Sequence, residues 1–230
     1  MEELATKVEA TVPRLTEEQR LIYERVNSAV RNDEQLLAFI DARGGCGKTF
    51  LINTILAMVR SMEPGGCVAL ATATTGIAAN LLDLGRTFHS RFKAPLTLSD
   101  ESTLQISGQS SLAKLVRMAK LILIDEATML DRLLLEALDR SLRDLMGQQN
   151  KPFGGKTILL AGDFRQCLPV VKGANRAQTI SHSINKSHLW RHFEVVKLSV
   201  NMRVRARGDP ELEALTGGLL ALVMVQKRLS

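Results

Sequence analysis

The sequence predicts an α/β fold: a central, mostly parallel sheet flanked by helices. Five apolar runs, "LLAFIDA" (36–42), "CVALATA" (67–73), "KLILIDE" (120–126), "TILLAGD" (157–163) and "FEVVKLS" (193–199), are continuous rather than alternating. Continuous runs are the pattern of strands buried on both faces. Between them lie stretches that read as helices, including Glu17–Val30, Lys48–Arg60 and Asp131–Met146. Strand–helix alternation of this kind builds a parallel sheet.

Composition sets the outer bounds. The 230 residues are 45% hydrophobic and 23% charged, which is ordinary globular composition and suits one larger domain or one and a half. A net charge of +6 with a pI near 9.5 suits an anionic partner. Cys46, Cys67 and Cys167 lie far apart, with no C-x-x-C pair and no matching histidine cluster. That argues against a zinc site or a disulfide framework and for a reducing compartment. The acidic start "MEELATKVEA" has no apolar core, so it reads as neither a secretory signal nor a transit peptide. The longest apolar run, "LLALVMV", is too short to span a bilayer. A soluble intracellular protein with no membrane partner is expected.

Taken in chain order, residues 1–14 form an N-terminal extension. The helix from Glu17 follows Thr16, and Thr16-x-x-Gln19 reads as a capping box, in which side chains satisfy helix-terminal N–H groups without any ligand. The first strand runs into "ARGGCGKTF", which opens a helix, and this is the context a phosphate loop requires. Its glycines let backbone N–H groups turn inward around a β-phosphate, and the helix N-terminus adds partial positive charge. Gly44, Gly45, Cys46, Gly47, Lys48 and Thr49 form the candidate cofactor-binding run. Lys48 would reach the β- and γ-phosphates, and the Thr49 hydroxyl would take a Mg²⁺ position. The usual pattern, G-x-x-x-x-G-K-[ST], has Ala42 at its first glycine position. If that position needed a positive φ, alanine would cost about 1–2 kcal/mol. The plainer alternative is a glycine turn before a helix.

The polar stretch from Lys93 to Ser111 reads as a surface loop or small insertion. In "LILIDEATML" four apolar residues lead straight into Asp125 and Glu126, at the strand edge where parallel sheets gather ligands. Asp125 can hold Mg²⁺ through water and Glu126 can polarise an attacking water. Alternatively the pair caps the next helix, a task Asp131 can also do. "GGKT" at 154–157 precedes a strand, not a helix, and reads as a turn. In "LLAGDFRQCLPVV", Gln166 is either a loop residue or an amide beside a γ-phosphate. The lysine loop and the Asp-Glu strand end jointly point to an ATPase using ATP and Mg²⁺.

"GRTFHSRF", "LIDEATML", "LLAGDFRQCLPVV" and "LSVNMR", in that order, resemble the first motor domain of the Pif-type (petite integration frequency) DNA helicases, a superfamily-one group with relatives in Helitron transposons. The resemblance runs from about Leu15 to Arg203. It implies a RecA-like P-loop ATPase domain over residues 15–205, with 206–230 as a divergent or truncated tail. It also implies ATP-driven 5′-to-3′ movement on single-stranded DNA and, from the family, a nuclear or alternatively mitochondrial place in DNA repair, recombination or telomere maintenance. By position Lys48 and Thr49 match the phosphate and Mg²⁺ residues, Asp125 and Glu126 the metal and water-activating pair, and Gln166 the γ-phosphate sensor. Arg203 matches an arginine that stabilises transition-state charge; without the family it is one more solvated arginine beside Arg205 and Arg207. "LTEEQR" resembles the adenine-binding motif, in which Gln19 would bond the base edge, so two readings of Gln19 stand.

DNA contacts implied by the resemblance fall on Thr74, Thr75 and the Gly76 backbone, at a strand-to-helix junction suited to phosphates, and on Arg86 and His89. A packed polar residue is the alternative for His89. Phe88 and Phe92 would either stack on bases or join the core, and Arg140 and Arg143 would face DNA or solvent. Several superfamily-one branches resemble A-x-x-G-x-G-K-T at the phosphate loop, although Pif-type members usually carry Gly at its first position. Only 27 residues follow Arg203, too few for a second motor domain. Weak ATP–Mg²⁺ binding, weak single-stranded DNA binding and no unwinding by this polypeptide alone are therefore expected. Two alternatives are a P-loop ATPase or nucleotide kinase without DNA coupling, and a nucleotide- or DNA-binding remnant that does not turn over.

Overall fold

The computed structural model describes residues 2–62, 68–166, 169, 170, 173 and 175–202. Among them six strands form one sheet: β1 (Leu37–Ala42), β2 (Val68–Ala73), β3 (Arg86–Thr87), β4 (Ala119–Asp125), β5 (Thr157–Gly162) and β6 (Glu194–Leu198). The order is β3-β2-β4-β5-β1-β6 and every pairing is parallel. All six residues of β5 are buried, as are all but Lys120 of β4, which is why these central strands must read as unbroken apolar runs. β6 departs from that expectation. It pairs only with β1, and of its residues only Leu198 is buried. As an edge strand it has only one neighbour to cover it. β3, only two residues long, closes the other edge and has no hydropathy signal.

Helices cover both faces. α1 (Glu2–Thr11), α2 (Glu17–Arg31), α3 (Lys48–Ser61), α4 (Gly76–Asn80), α5 (Phe88–Phe92), α6 (Ser111–Met118), α7 (Arg132–Met146) and α8 (Arg176–Ser181) follow in chain order. Successive strand residues point to opposite faces, so the sheet feeds two cores. Ile40, Leu121 and Leu123 pack with Ile22 of α2 and Leu51 and Ile55 of α3. Phe39, Ile122 and Ile124 pack with Leu135 and Leu138 of α7 and with Phe153. Val8 and Val12 join the first core, so the N-terminal extension lies against the domain. The Lys7–Asp83 ion pair beside it, at 2.5 Å, is exposed and contributes little.

Phe88 and Phe92 are fully buried in the second core, with ring centroids 5.1 Å apart; they are core residues and not a base platform. Arg140 and Arg143 are half-buried, and both bond within the protein. Arg140 Nε donates to Ser102 O at 3.0 Å, and Leu104 N donates to Ser141 Oγ at 2.8 Å, which together pin the 93–111 insertion to α7. Arg143 Nε donates to Asp139 Oδ2 at 2.8 Å, and the buried Asp139 also receives Phe153 N at 2.5 Å. That bond secures the turn before β5, where Phe153, Gly154 and Gly155 have φ of 52°, 59° and 80°. "GGKT" is therefore a turn, and a Cβ at Gly154 would stand 2.5 Å from Leu142 O.

Candidate nucleotide site and adjoining groove

The carboxyl ends of β1, β4 and β5 bring the candidate residues together. Ala42 is the last residue of β1, buried and paired with Leu198. It is not among the residues with positive φ; in the loop that conformation falls on Gly45 (89°) and Gly47 (72°). Alanine at the first loop position is therefore unstrained. At Gly47 the constraint is doubled, because a Cβ would lie 2.6 Å from Gln19 Nε2 and 3.3 Å from Met202 Cγ. The loop borders a cavity of about 460 Å³, also lined by Lys48, Thr49, Glu126 and Gln166.

Lys48 opens α3, and its Nζ lies 2.7 Å from Asp125 Oδ1 and 2.6 Å from Glu126 Oε1. Burial by itself would lower the lysine pKa, but the two carboxylates outweigh it and hold Lys48 above the ordinary value of 10.5. β4 ends at Asp125, one residue earlier than its apolar run suggests. Glu126 leaves the strand in the left-handed region, at φ 51° and ψ 36°, a conformation that a non-glycine residue keeps only when its surroundings impose it. Three bonds do so. Glu126 N donates to Asp125 Oδ1 at 2.8 Å, and Glu126 O accepts from Thr74 Oγ1 and from Met129 N, each at 3.0 Å.

Gln166 stands just past β5, beside Gly44, and its Nε2 donates to Asp163 Oδ2 at 2.9 Å. Arg165 donates to Asp163 Oδ1 at 2.6 Å and to Asp41 Oδ1 at 2.8 Å. Asp163 is buried, which would raise its pKa, but the Arg165 backbone and guanidinium and the Gln166 amide outweigh burial and leave it below the ordinary 3.8. A depressed carboxylate pKa adds stability above the unfolded value that disappears as pH falls through the folded one. Urea midpoints of wild type and Asp163→Asn are accordingly expected to differ at pH 7 and to converge below pH 3.8. An unchanged gap at low pH would rule that assignment out. Asp163, Arg165 and Asp41 were not singled out from the sequence. The signal for Asp163 was present, since it follows β5 as Glu126 follows β4.

Both local and distant partners use Gln19. Thr16 and Gln19 form the capping box of α2, and the amide also donates from Nε2 to Cys46 O at 3.0 Å, inside the glycine loop. Gln19 is 1% exposed. Neighbouring Glu18 accepts from Ser199 N at 2.8 Å and Met202 N donates to Gly45 O at 2.9 Å, so the segment after β6 is drawn across the loop. Arg203 lies outside the described residues.

A second cavity, of about 580 Å³, opens beside the first and is lined by Thr74, Thr75, His89, Met129, Asp131 and His182, among others. Thr75 Oγ1 accepts from Ala78 N at 3.2 Å as the cap of α4. Gly76 is exposed and a Cβ there would meet nothing within 4 Å. His89 is exposed in the groove. Arg86 is also exposed but sits on the edge strand opposite Thr72 and does not line the cavity. His182, whose Nδ1 is 2.8 Å from Asp131 Oδ2, forms part of the wall and has no local sequence signature.

The sequence profile described as PIF1-like helicase matches residues 14–216. The chain belongs to the PIF1-like helicase family. It is 34% identical over 177 residues to the ATP-dependent DNA helicase PIF3 of Trypanosoma brucei brucei, covering 77% of this chain and 20% of that protein. It is 34% identical over 221 residues to human ATP-dependent DNA helicase PIF1, covering 85% and 30%. A Bacteroides Pif1 helicase solved with ADP-AlF3 and ssDNA superposes with a TM-score of 0.66 at 26% identity, over 82% of this chain and 43% of that one. The Candida albicans Pif1 helicase gives a TM-score of 0.59 at 27% identity, over 80% and 40%. The parallel sheet flanked by helices is the RecA-like fold of these PIF1-like helicases. The chain spans less than a third of the length of the Trypanosoma and human proteins.

Proposed function

We propose that this chain supplies the ATP-hydrolysing motor domain of a DNA helicase, stimulated by single-stranded DNA. One observation supports this above the others: a glycine loop with Lys48 at its end, and Lys48 Nζ within 2.7 Å of strand-end carboxylates Asp125 and Glu126. The residues fit ATP with Mg²⁺. Among the described residues no group of three or more His, Cys, Asp or Glu is placed to hold a metal unaided, and Mg²⁺ typically relies on one or two carboxylates together with substrate phosphates. Thr49 and Asp125 would hold it, and its charge would offset that of the phosphates. The Gly44–Gly47 backbone would cradle the phosphates, drawing Lys48 from the carboxylates. Glu126, released from Lys48, would orient a water and accept its proton. Gln166, steadied by Asp163, would face the γ-phosphate, and Arg203 would stabilise transition-state charge. Gln19 Nε2 gives one N–H to Cys46 O and so supports the loop; its second N–H is the one an adenine acceptor would take.

Single-stranded DNA would occupy the groove lined by Thr75 and His89, with the exposed Gly76 and Arg86 outside its lining and 5′-to-3′ movement carried over from the family. No helix among the described residues is long and apolar enough to cross a membrane, and a nuclear or mitochondrial location would go with a DNA partner. The test is ATP hydrolysis with and without oligothymidylate, comparing this chain with Lys48→Ala. Stimulated hydrolysis that Lys48→Ala abolishes is the expected result. Hydrolysis indifferent to DNA would indicate a P-loop ATPase of another kind, and nucleotide-dependent thermal stabilisation without phosphate release a binding module. Oligothymidylate affinity should fall with rising salt if the basic charge is used.

A further inference from the structure

We propose that Thr74 is a positioning residue that links occupancy of the groove to the catalytic geometry of Glu126, and that it is not itself a phosphate donor. This rests on the reading of the groove as the single-stranded DNA site. A threonine has one hydroxyl proton and one backbone N–H to give. Thr74 donates the first to Glu126 O at 3.0 Å and the second to Asp125 O at 3.2 Å. Neither remains for a phosphate. Thr75 differs: its hydroxyl oxygen accepts from Ala78 N, which leaves its proton for the groove.

Thr74 lines the groove while the Glu126 side chain lines the nucleotide cavity. Glu126 O is held by two groove-lining residues at once, Thr74 through its hydroxyl and Met129 through its N–H. The left-handed backbone at Glu126 is the part most dependent on those bonds, because a residue in that region returns to ordinary conformations once its restraints loosen. An occupant that shifts Thr74 or Met129 therefore alters the twist that aims the Glu126 carboxylate.

The experiment uses the full 230-residue chain, with Thr74→Val, which keeps the shape and removes the donor, and Thr74→Ser, which keeps the donor. Amide hydrogen exchange over residues 126–130 is followed with and without oligothymidylate, so that no turnover is needed. In wild type the oligonucleotide should change exchange there about tenfold, a typical coupling between two sites. Thr74→Val should respond less than about twofold while binding oligothymidylate within about threefold of wild type, and Thr74→Ser should restore the response. Where hydrolysis is stimulated by DNA, Thr74→Val should lose that stimulation in kcat with KM for ATP unchanged. A wild-type response in Thr74→Val overturns the proposal. So does a loss of DNA affinity in step with the lost response, which would make Thr74 a direct contact. Absence of oligothymidylate binding by the wild-type chain overturns the groove reading itself, and that result is seen before any variant is compared.

Discussion

Lys48→Ala is expected to lower the unfolding free energy by about 3 kcal/mol, near the lower end of what removing one partner of a buried ion pair costs. Asp125 and Glu126 approach the same ammonium at 2.7 and 2.6 Å, and their side chains are only 4% and 28% exposed. Without Lys48 two carboxylates face one another with no cation between them. The partial exposure of Glu126 lets water screen one of them, which is why the lower end applies. Lys48→Met should lose nearly as much, because the charge matters more than the packing of the stem. Mg²⁺ should then stabilise both variants more than wild type, since it would enter the position the ammonium vacates. Urea unfolding at pH 7 with and without Mg²⁺ measures both effects. A loss below about 1 kcal/mol would place the pair with ordinary surface bridges. In the wild-type chain the raised lysine pKa keeps the pair intact at neutral pH, and its contribution is lost only as pH climbs beyond 10.5.

Glu126→Gln is expected to reduce ATP hydrolysis by about 10²–10⁴-fold, the range attributed to a positioned general base. Glutamine keeps the size of the side chain and can still accept from Lys48, but it cannot take a proton from water. Nucleotide binding should persist, because the glycine loop, Lys48 and Thr49 are untouched. Single-turnover phosphate release, paired with a nucleotide-dependent thermal shift, separates these outcomes. Hydrolysis within about tenfold of wild type would reassign the base, with Asp163 the next carboxylate to test. Loss of nucleotide binding would instead show that Glu126 acts mainly by placing Lys48.

The elements that carry the site were legible because their signals are local. A continuous apolar run marks a doubly covered strand wherever it lies in the chain, so β1, β2, β4 and β5 could be read within a residue or so. Glycine, lysine and threonine at fixed spacing after such a run mark the loop, and two acids after another mark the facing edge. The same rule misread β6, because hydropathy reports how apolar a run is and not how many neighbours will cover it. For Arg140 and Arg143 the sequence allows either DNA or solvent, and the fold shows their bonds to the 93–111 stretch and to Asp139.

Residue order along the chain thus sufficed for the α/β class, the glycine loop before α3 and the paired carboxylates, each of which depends on neighbours a few positions away. Strand order, the left-handed backbone at Glu126, the double use of Gln19 and the bond from Thr74 to Glu126 depended on contacts between residues far apart in the chain. Gln19 and Cys46 are 27 residues apart and Thr74 and Glu126 are 52 apart. No periodicity encodes such pairs, since they form only when sheet closure brings separate strand ends to one edge. The loop at 43–49 illustrates the division. Its glycine spacing pointed to a phosphate. The buried, extended place of Ala42 at the end of β1 shows that alanine brings no backbone strain there.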